Sequence, residues 1–222
     1  ANTEHAASVA SEFGTRAFAS LDELVKEIDA ASVSTPTVTH RDIAAQLLNA
    51  GKHVLVEKPI SDSVDDAKAI IDLAHDKGLI LQVGHIERFN PVMSQLEERL
   101  DHPKFIECHR FSPFPQRSLD IGVVLDLMIH DLEIVLHLVN SPVVSVDAVG
   151  IPVLTRREDI ANARIRFENG CVANITASRI SPERMRKIRV FQSDAYLSLD
   201  YQDQSGWIYR KDGMEIGREQ VE

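Results

Sequence analysis

Residues 53–83 read HVLVEKPISDSVDDAKAIIDLAHDKGLILQV, a stretch in which two apolar runs flank a helical pattern. His53–Val56 and Leu79–Val83 are short enough to be buried strands, and Val64–Lys77 places apolar residues at helical spacing. Gly78 is suited to end the helix. Two strands joined by one helix through short loops predict a right-handed βαβ unit, and therefore a parallel sheet.

The same alternation occurs upstream of this unit. Thr3–Phe13 and His40–Asn49 carry apolar residues at helical spacing, and Ala30–Val33 is a short β run between them. Residues 1–84 are therefore predicted to form a Rossmann-type parallel α/β domain.

Beyond residue 84 the pattern changes to one long apolar helix followed by strands. The helix is predicted over about Val123–Val139. Period-two alternation over Ala161–Phe167 and Cys171–Ser178 flanks a turn at 168–170, which predicts an antiparallel hairpin. Residues 85–222 are predicted to be an α+β domain with an open, mostly antiparallel sheet.

The charge balance excludes some classes of partner. The chain carries 34 acidic and 24 basic residues, for a formal net charge of -10, so its surface repels nucleic acid.

We expect no membrane partner, because apolar runs are too short to span a bilayer, and we expect no signal peptide. Cys108 and Cys171 are isolated thiols, which favours a reducing compartment and predicts a cytoplasmic protein.

The first motif with chemical potential is Glu57-Lys58-Pro59, directly after a predicted strand. Ligands of open α/β sheets bind outside the carboxyl ends of the strands. An ammonium group at that position can hold a substrate hydroxyl and stabilise an alkoxide. The alternative is an ordinary surface loop.

The second motif lies on the long helix. Asp126 and His130 are four residues apart and share a face, which Glu133 and His137 extend. A carboxylate beside an imidazole orients the ring as a general base requires. The alternatives are a hydrogen-bonded core pair, a solvated stripe or a metal site; no HExxH or clustered Cys/His spacing accompanies the pair, so we predict no metal.

The third motif is the turn Ser34–His40, where a strand ends at Thr35-Pro36 and a helix opens near His40. Hydroxyls and backbone amides at such a turn suit the ribose and phosphates of a dinucleotide. Alone the motif is weak, because Thr-Pro turns are common.

Taken in this order, the motifs resemble the glucose–fructose oxidoreductase and inositol dehydrogenase (Gfo/Idh/MocA) family. The resemblance rests on Thr35-Pro36 with His40, on Gly51–Pro59 (GKHVLVEKP), on Arg88–Pro91 (RFNP) and on Asp126 with His130. It implies a dehydrogenase that passes hydride between NAD or NADP and a secondary hydroxyl of a sugar or nucleotide sugar.

The resemblance also implies roles for single residues. His130 would be the acid/base, Asp126 would orient it, and Lys58 would polarise the reacting oxygen. The expected cofactor contacts are Thr35, Pro36, His40, Glu57 and Lys58. The expected substrate contacts are Arg88 and Asn90. The family's open sheet commonly packs between subunits, so a homodimer or homotetramer is expected.

Residues 83–91 and 125–131 resemble the branch that includes UDP-N-acetylglucosamine 3-dehydrogenases. Arg110 and Arg117 precede the long helix and could hold a diphosphate bidentately. The family's GxGxxG turn is missing from this sequence, so we expect a fragment that lacks its main phosphate site. A ligand sensor that has lost catalysis, or a lyase-type or dehalogenating enzyme on the same fold, are the alternatives.

Overall fold

The computed structural model describes residues 2–114, 121–212 and 215–221. The chain divides into two units, residues 1–84 and residues 85–222. Across the described ranges, no helix has the length and apolar character needed to cross a lipid bilayer.

The first unit is a parallel sheet with its connecting helices. Its elements are α1 (Thr3–Glu12), α2 (Leu21–Leu24), β1 (Ala30–Val33), α3 (His40–Asn49), β2 (His53–Val56), α4 (Val64–Asp76) and β3 (Leu81–Val83). The strands pair in parallel in the order β1–β2–β3, which confirms the predicted parallel α/β architecture.

The core of this unit lies between the sheet and helices α3 and α4. Its buried side chains are Val33, Ala44, Leu47, Leu48, Val54, Val56, Ile70 and Ala74. The helices end sharply, because Gly51 and Gly78 follow α3 and α4 with φ of 76° and 63°, a left-handed conformation that glycine adopts without steric cost. The short loops bring the carboxyl ends of all three strands to one edge.

The second unit is an eight-stranded sheet with helices. A 3₁₀ turn at Ile86–Phe89 precedes α5 (Pro91–Glu97) and β4 (Phe105–Phe111). A π-helical stretch at Val124–Met128 then continues into α6 (Ile129–Val139). The remaining strands are β5 (Val143–Ile151), β6 (Ile160–Phe167), β7 (Val172–Ser178), β8 (Met185–Phe191), β9 (Ala195–Asp200), β10 (Ser205–Asp212) and β11 (Glu215–Val221).

The strand order is β11-β10-β9-β8-β4-β7-β6-β5. All neighbours are antiparallel except β4 and β7, which are parallel, so the expected mostly antiparallel sheet is confirmed. Side chains along β4, β6 and β7 alternate between buried and partly exposed, as a sheet with one covered face requires. The covered face shares a core with α5 and α6, including Met93, Ile134 and Val135.

Candidate active site

Three loop segments follow the three parallel strands of the first unit at the same edge of the sheet. Thr35 and Pro36 follow β1, Glu57 and Lys58 follow β2, and Gly84 follows β3. Two backbone bonds keep the segments together: Glu57 N donates to Val33 O at 2.9 Å, and Gly84 N donates to Val56 O at 2.8 Å. This is the edge at which open α/β sheets bind ligands.

Gly84 leaves room for the Glu57 carboxylate at that edge. A Cβ at position 84 would lie 3.1 Å from Glu57 Oε2, so a side chain there would press on the carboxylate. Glu57 and Lys58 are both half-buried, and the Lys58–Pro59 peptide bond is cis. The edge therefore combines a close backbone approach with one carboxylate and one ammonium group.

His40 lies behind the edge rather than on its surface. The ring is 1% exposed, with Nδ1 2.8 Å from Pro59 O and Nε2 2.8 Å from Thr35 O. The imidazole thus joins the segment after β1 to the segment after β2. His40 as a direct cofactor contact stays a prediction, and the observed contacts assign its ring to the support of the two loops.

The Thr35-Pro36 turn itself is exposed. Thr39 Oγ1 lies 2.7 Å from Thr35 Oγ1 and 2.8 Å from Pro36 O, which stabilises the turn that leads into α3. Exposed hydroxyls at this turn, the half-buried Lys58 and the open approach beside Gly84 fit the ribose and nicotinamide portions of a dinucleotide.

In the second unit, Asp126 lies on the π-helical stretch and His130 lies in the first turn of α6. Both side chains are half-buried. The start of this helix is held by the segment before β6, because Val123 N donates to Glu158 O at 2.9 Å. Wide π turns often occur at functional sites, and here one carries the predicted carboxylate partner of the histidine.

A buried ion-pair cluster borders His130. Arg110 is the second-to-last residue of β4 and is 3% exposed. Its Nε and Nη2 donate to Asp131 Oδ2 and Oδ1 at 2.8 and 2.9 Å. Nη2 also lies 3.3 Å from Glu87 Oε2. Burial raises the pKa of Asp131, and the Arg110 guanidinium offsets part of that effect. The prediction that Arg110 contacts a diphosphate is therefore wrong, because its guanidinium is buried and already paired.

Arg88 and Asn90, the predicted substrate contacts, both bond to other residues of the second unit. Arg88 Nη2 pairs with Glu133 Oε1 on α6. Asn90 caps α5 by accepting from Val92 N at 3.2 Å, and its Nδ2 donates to Tyr201 O at 3.1 Å. Both remain predictions as substrate contacts, and Arg117 lies outside the described residues.

The helix stripe beyond His130 is tied to neighbouring elements. Glu133 pairs with Arg88, and His137 Nε2 lies 3.0 Å from Glu97 Oε1 on α5. Within the described residues, no group of three His, Cys, Asp or Glu side chains is arranged to hold a metal ion.

Sequence reasoning missed a second buried ion pair, Asp159 with Arg179. Both side chains are 0% exposed, and Arg179 Nε donates to Asp159 Oδ1 at 2.9 Å. Arg179 Nη1 also donates to Ile121 O at 2.8 Å, just before the Asp126 helix. The signal available in the sequence was faint: Thr155 stands four residues before Asp159 in a loop, where short polar side chains bond to backbone.

Comparison with known proteins identifies the family. Residues 1–85 match the oxidoreductase family with an NAD-binding Rossmann fold, GFO_IDH_MocA, and residues 96–198 match the GFO/IDH/MocA C-terminal domain. The chain belongs to the GFO/IDH/MocA family. The resemblance proposed from the sequence motifs is thereby confirmed.

Individual GFO/IDH/MocA relatives are similar over different shares of their length. UDP-N-acetylglucosamine 3-dehydrogenase of Acidithiobacillus ferrooxidans is 42% identical over 211 residues, 95% of this chain and 67% of the relative. The solved structure of that enzyme, GnnA, has a TM-score of 0.93 at 41% identity, covering 100% of this chain and 72% of the other. scyllo-Inositol 2-dehydrogenase (NAD(+)) of Bacillus subtilis is 30% identical over 170 residues, 70% of this chain and 50% of the relative.

Proposed function

We propose that the protein is an NAD(P)-dependent dehydrogenase that oxidises a secondary hydroxyl of a nucleotide sugar, with UDP-N-acetylglucosamine as the favoured substrate. The observation that carries the proposal is the 42% identity over 95% of the chain to a UDP-N-acetylglucosamine 3-dehydrogenase. The chain spans 67% of that relative, so the activity is proposed for the full-length protein.

The cofactor is proposed to bind along the carboxyl edge of the β1–β3 sheet. Thr35 and Pro36 would lie beside it, with Glu57 and Lys58 at the next strand end and His40 supporting both segments from behind. When bound, the nicotinamide supplies the hydride acceptor. NAD is the cofactor named for the family and for the B. subtilis relative.

The chemical roles follow from the residue types. His130 would take the proton of the substrate hydroxyl as the carbon loses hydride, and Asp126 would orient the imidazole from four residues earlier on the same helix. The Lys58 ammonium would hold the substrate oxygen and stabilise the negative charge that develops there. Arg88, Asn90 and Arg117 are proposed substrate contacts.

The uncovered face of the eight-stranded sheet is proposed to pack against a second copy, giving a homodimer or homotetramer. A row of half-buried rings crosses this face: Phe105, Phe191, Tyr196 and Tyr209 follow one another with centroid separations of 5.6, 4.7 and 5.5 Å. Such rings contribute large apolar areas to interfaces. Light scattering with size-exclusion chromatography measures the oligomeric state, and a monomer would contradict this part of the proposal.

The buried thiols of Cys108 and Cys171 are unpaired, which suits a reducing compartment, and we propose the cytoplasm. No nucleic-acid partner is proposed, because the net charge is -10.

The activity test uses the full-length protein with NAD⁺ or NADP⁺ and a panel of nucleotide sugars and free sugars, followed by absorbance of reduced nicotinamide. We expect turnover with UDP-N-acetylglucosamine. Turnover with free sugars alone would keep the dehydrogenase class and reject the nucleotide-sugar substrate.

The role of His130 is tested on the same helix with a matched control. His130→Asn is expected to lower kcat by roughly 10²–10⁴-fold, the usual contribution of a general base, and to leave cofactor binding unchanged. His137→Asn removes an exposed imidazole two turns away and should keep wild-type turnover. Equal effects of the two substitutions would contradict the assignment.

A further inference from the structure

Arg110 is a charged residue at a core position of the central strand β4. Ile106, Cys108 and Arg110 all point to the covered face, and the three are 0%, 0% and 3% exposed. An arginine can occupy this position because its guanidinium is paired on two sides, by Asp131 and by Glu87. The pairing joins the middle of the sheet to the first turn of α6.

The geometry of the Arg110–Asp131 pair restricts how α6 can rotate. Two parallel bonds at 2.8 and 2.9 Å join the planar guanidinium to both carboxylate oxygens. A two-pronged pair fixes direction as well as distance, which a single bond does not. Because Asp131 follows His130 directly, about 100° around an α-helix, any rotation that breaks the pair also re-aims the imidazole.

Neighbouring charges strengthen the same restraint. Glu87 bonds to Arg110 and lies 3.8 Å from Arg186 on β8, and the adjacent Arg88 pairs with Glu133 on α6. The 86–89 turn is thereby ion-paired to β4, β8 and α6. The cluster holds the helix at two residues, Asp131 and Glu133, which lie about 200° apart around its axis.

We infer that Arg110 is a positioning residue of the proposed dehydrogenase: its bidentate pair with Asp131 sets the rotation of α6 and so the direction in which His130 presents its ring. The inference rests on the proposed function of His130. Stability alone does not account for the pair, since buried ion pairs can often be replaced by apolar residues of similar volume without loss of stability.

Four variants separate positioning from stability. Arg110→Lys keeps the charge and removes the two-pronged geometry, and Asp131→Asn removes the charge of the partner. The double variant Arg110→Met/Asp131→Leu replaces the pair with apolar side chains, so the fold is retained where a single substitution fails to fold. Arg16→Met, at a surface ion pair whose arginine is 72% exposed, is the control for loss of an arginine.

The decisive measurement is the kcat of the double variant, compared with that of the wild type once thermal unfolding shows the two proteins to be equally stable. We expect the double variant to melt close to the wild type while kcat falls roughly 10–100-fold, with KM for the cofactor unchanged, as for a misplaced catalytic group. Arg110→Lys should lower kcat less than the double variant does, because a lysine can still make one bond to Asp131. Wild-type kcat in a stably folded double variant would overturn the inference.

An NMR measurement keeps this test independent of activity. In protein labelled with ¹⁵N-histidine, the His130 ring signals, assigned through their loss in His130→Asn, should move in the double variant and stay in place in Arg16→Met. Unmoved His130 signals in the double variant would refute the positioning role. A wild-type protein without turnover on the whole panel would instead refute the proposed function.

Discussion

Asp159→Asn should strongly destabilise the protein, because the Asp159 carboxylate is buried and accepts five hydrogen bonds. Asp159 Oδ2 accepts from the backbone N–H groups of Val153, Leu154 and Thr155 at 2.8, 2.6 and 2.9 Å. Oδ1 accepts from Arg179 Nε and from Thr155 Oγ1, each at 2.9 Å. An asparagine keeps one acceptor oxygen, places an NH₂ group among donors and removes the charge that neutralises Arg179.

The magnitude follows from the burial of the pair. Both side chains are 0% exposed, so the substitution removes the Asp159 charge that faces a buried guanidinium. Breaking a buried ion pair in this way costs about 3–5 kcal/mol, a large part of the roughly 5–15 kcal/mol that stabilises a typical domain. With a denaturant slope of about 2 kcal/mol/M, the urea midpoint should fall by about 2 M.

Urea unfolding followed by tryptophan fluorescence reports on the second structural unit, which contains the Asp159–Arg179 pair. The sequence has one tryptophan, Trp207, and it lies on β10 of the second unit. Asp147→Asn, on the exposed strand β5, is the matched control and should leave the midpoint unchanged. A midpoint shift below about 0.5 M for Asp159→Asn would refute the argument that the ion pair fixes this loop.

The stability difference between wild type and Asp159→Asn should depend on pH, because the pKa of Asp159 differs between the folded and unfolded states. Burial alone would raise the pKa of Asp159, but the backbone donors of Thr155, Val153 and Leu154, together with Arg179, outweigh it and hold the pKa below its usual range. A lowered folded-state pKa stabilises the protein above the unfolded value of about 3.9, and that stabilisation is lost as the pH falls through the folded value. The stability difference between wild type and Asp159→Asn should therefore be full near pH 7 and narrow below about pH 4.

Three smaller predictions concern other buried sites. Burial raises the pKa of the Cys108 and Cys171 thiols, so neither should react with a thiol reagent at pH 8 until urea unfolds the chain; rapid labelling of the native protein would contradict this. Gly206→Ala would place a Cβ 2.6 Å from Ser198 O and should lower the free energy of unfolding in urea by about 1–3 kcal/mol. The control is Gly217→Ala, whose Cβ would lie 3.9 Å from Arg210 O and which should change that free energy little. His40→Leu removes the ring that contacts the Thr35 and Pro59 carbonyls, of which a neutral imidazole donates to one, and losing that hydrogen bond should lower the free energy of unfolding by about 1–3 kcal/mol. Hydrogen exchange should speed up in the 34–40 and 57–60 segments, and the exposed-site control His75→Leu should leave it unchanged.

Local sequence patterns were sufficient for most of the first unit. β1 and β2 begin and end at the predicted residues, because each is a short apolar run bounded by turn residues. β3 begins at Leu81, two residues later than predicted, since apolar residues at 79 and 80 extend the run beyond the paired backbone.

The second unit depends on contacts that local patterns do not encode. The parallel pairing of β4 with β7 joins residues 67 apart in sequence, and no periodicity specifies it. The sequence pattern does not delimit β5, because an edge strand exposed along its whole length lacks the alternation that marks a half-buried strand.

The candidate site also combines features that local sequence patterns predict with features that depend on the fold. The spacing of Asp126 and His130 on one helix was predictable from sequence, whereas the π turns beneath Asp126 were not. Arg110 shares the parity of Ile106 and Cys108, which was a signal that it points into the core. Its partner could not be inferred, because Asp131 lies on a different element and only the fold brings them together.

The position of β4 in the sheet has a consequence for synthesis on the ribosome. Its two partners, β7 and β8, come later in the chain, and β8 is complete only at Phe191, 80 residues after Phe111 ends β4. At about 5–20 residues per second, that interval lasts roughly 4–16 s. The edge that pairs with β8 lacks its partner throughout, and the edge that pairs with β7 lacks its partner until Ser178 is made. Glu107 and Arg110 place charged side chains within this sheet-forming run, and charges of that kind disfavour pairing with other chains while a strand lacks its own partners.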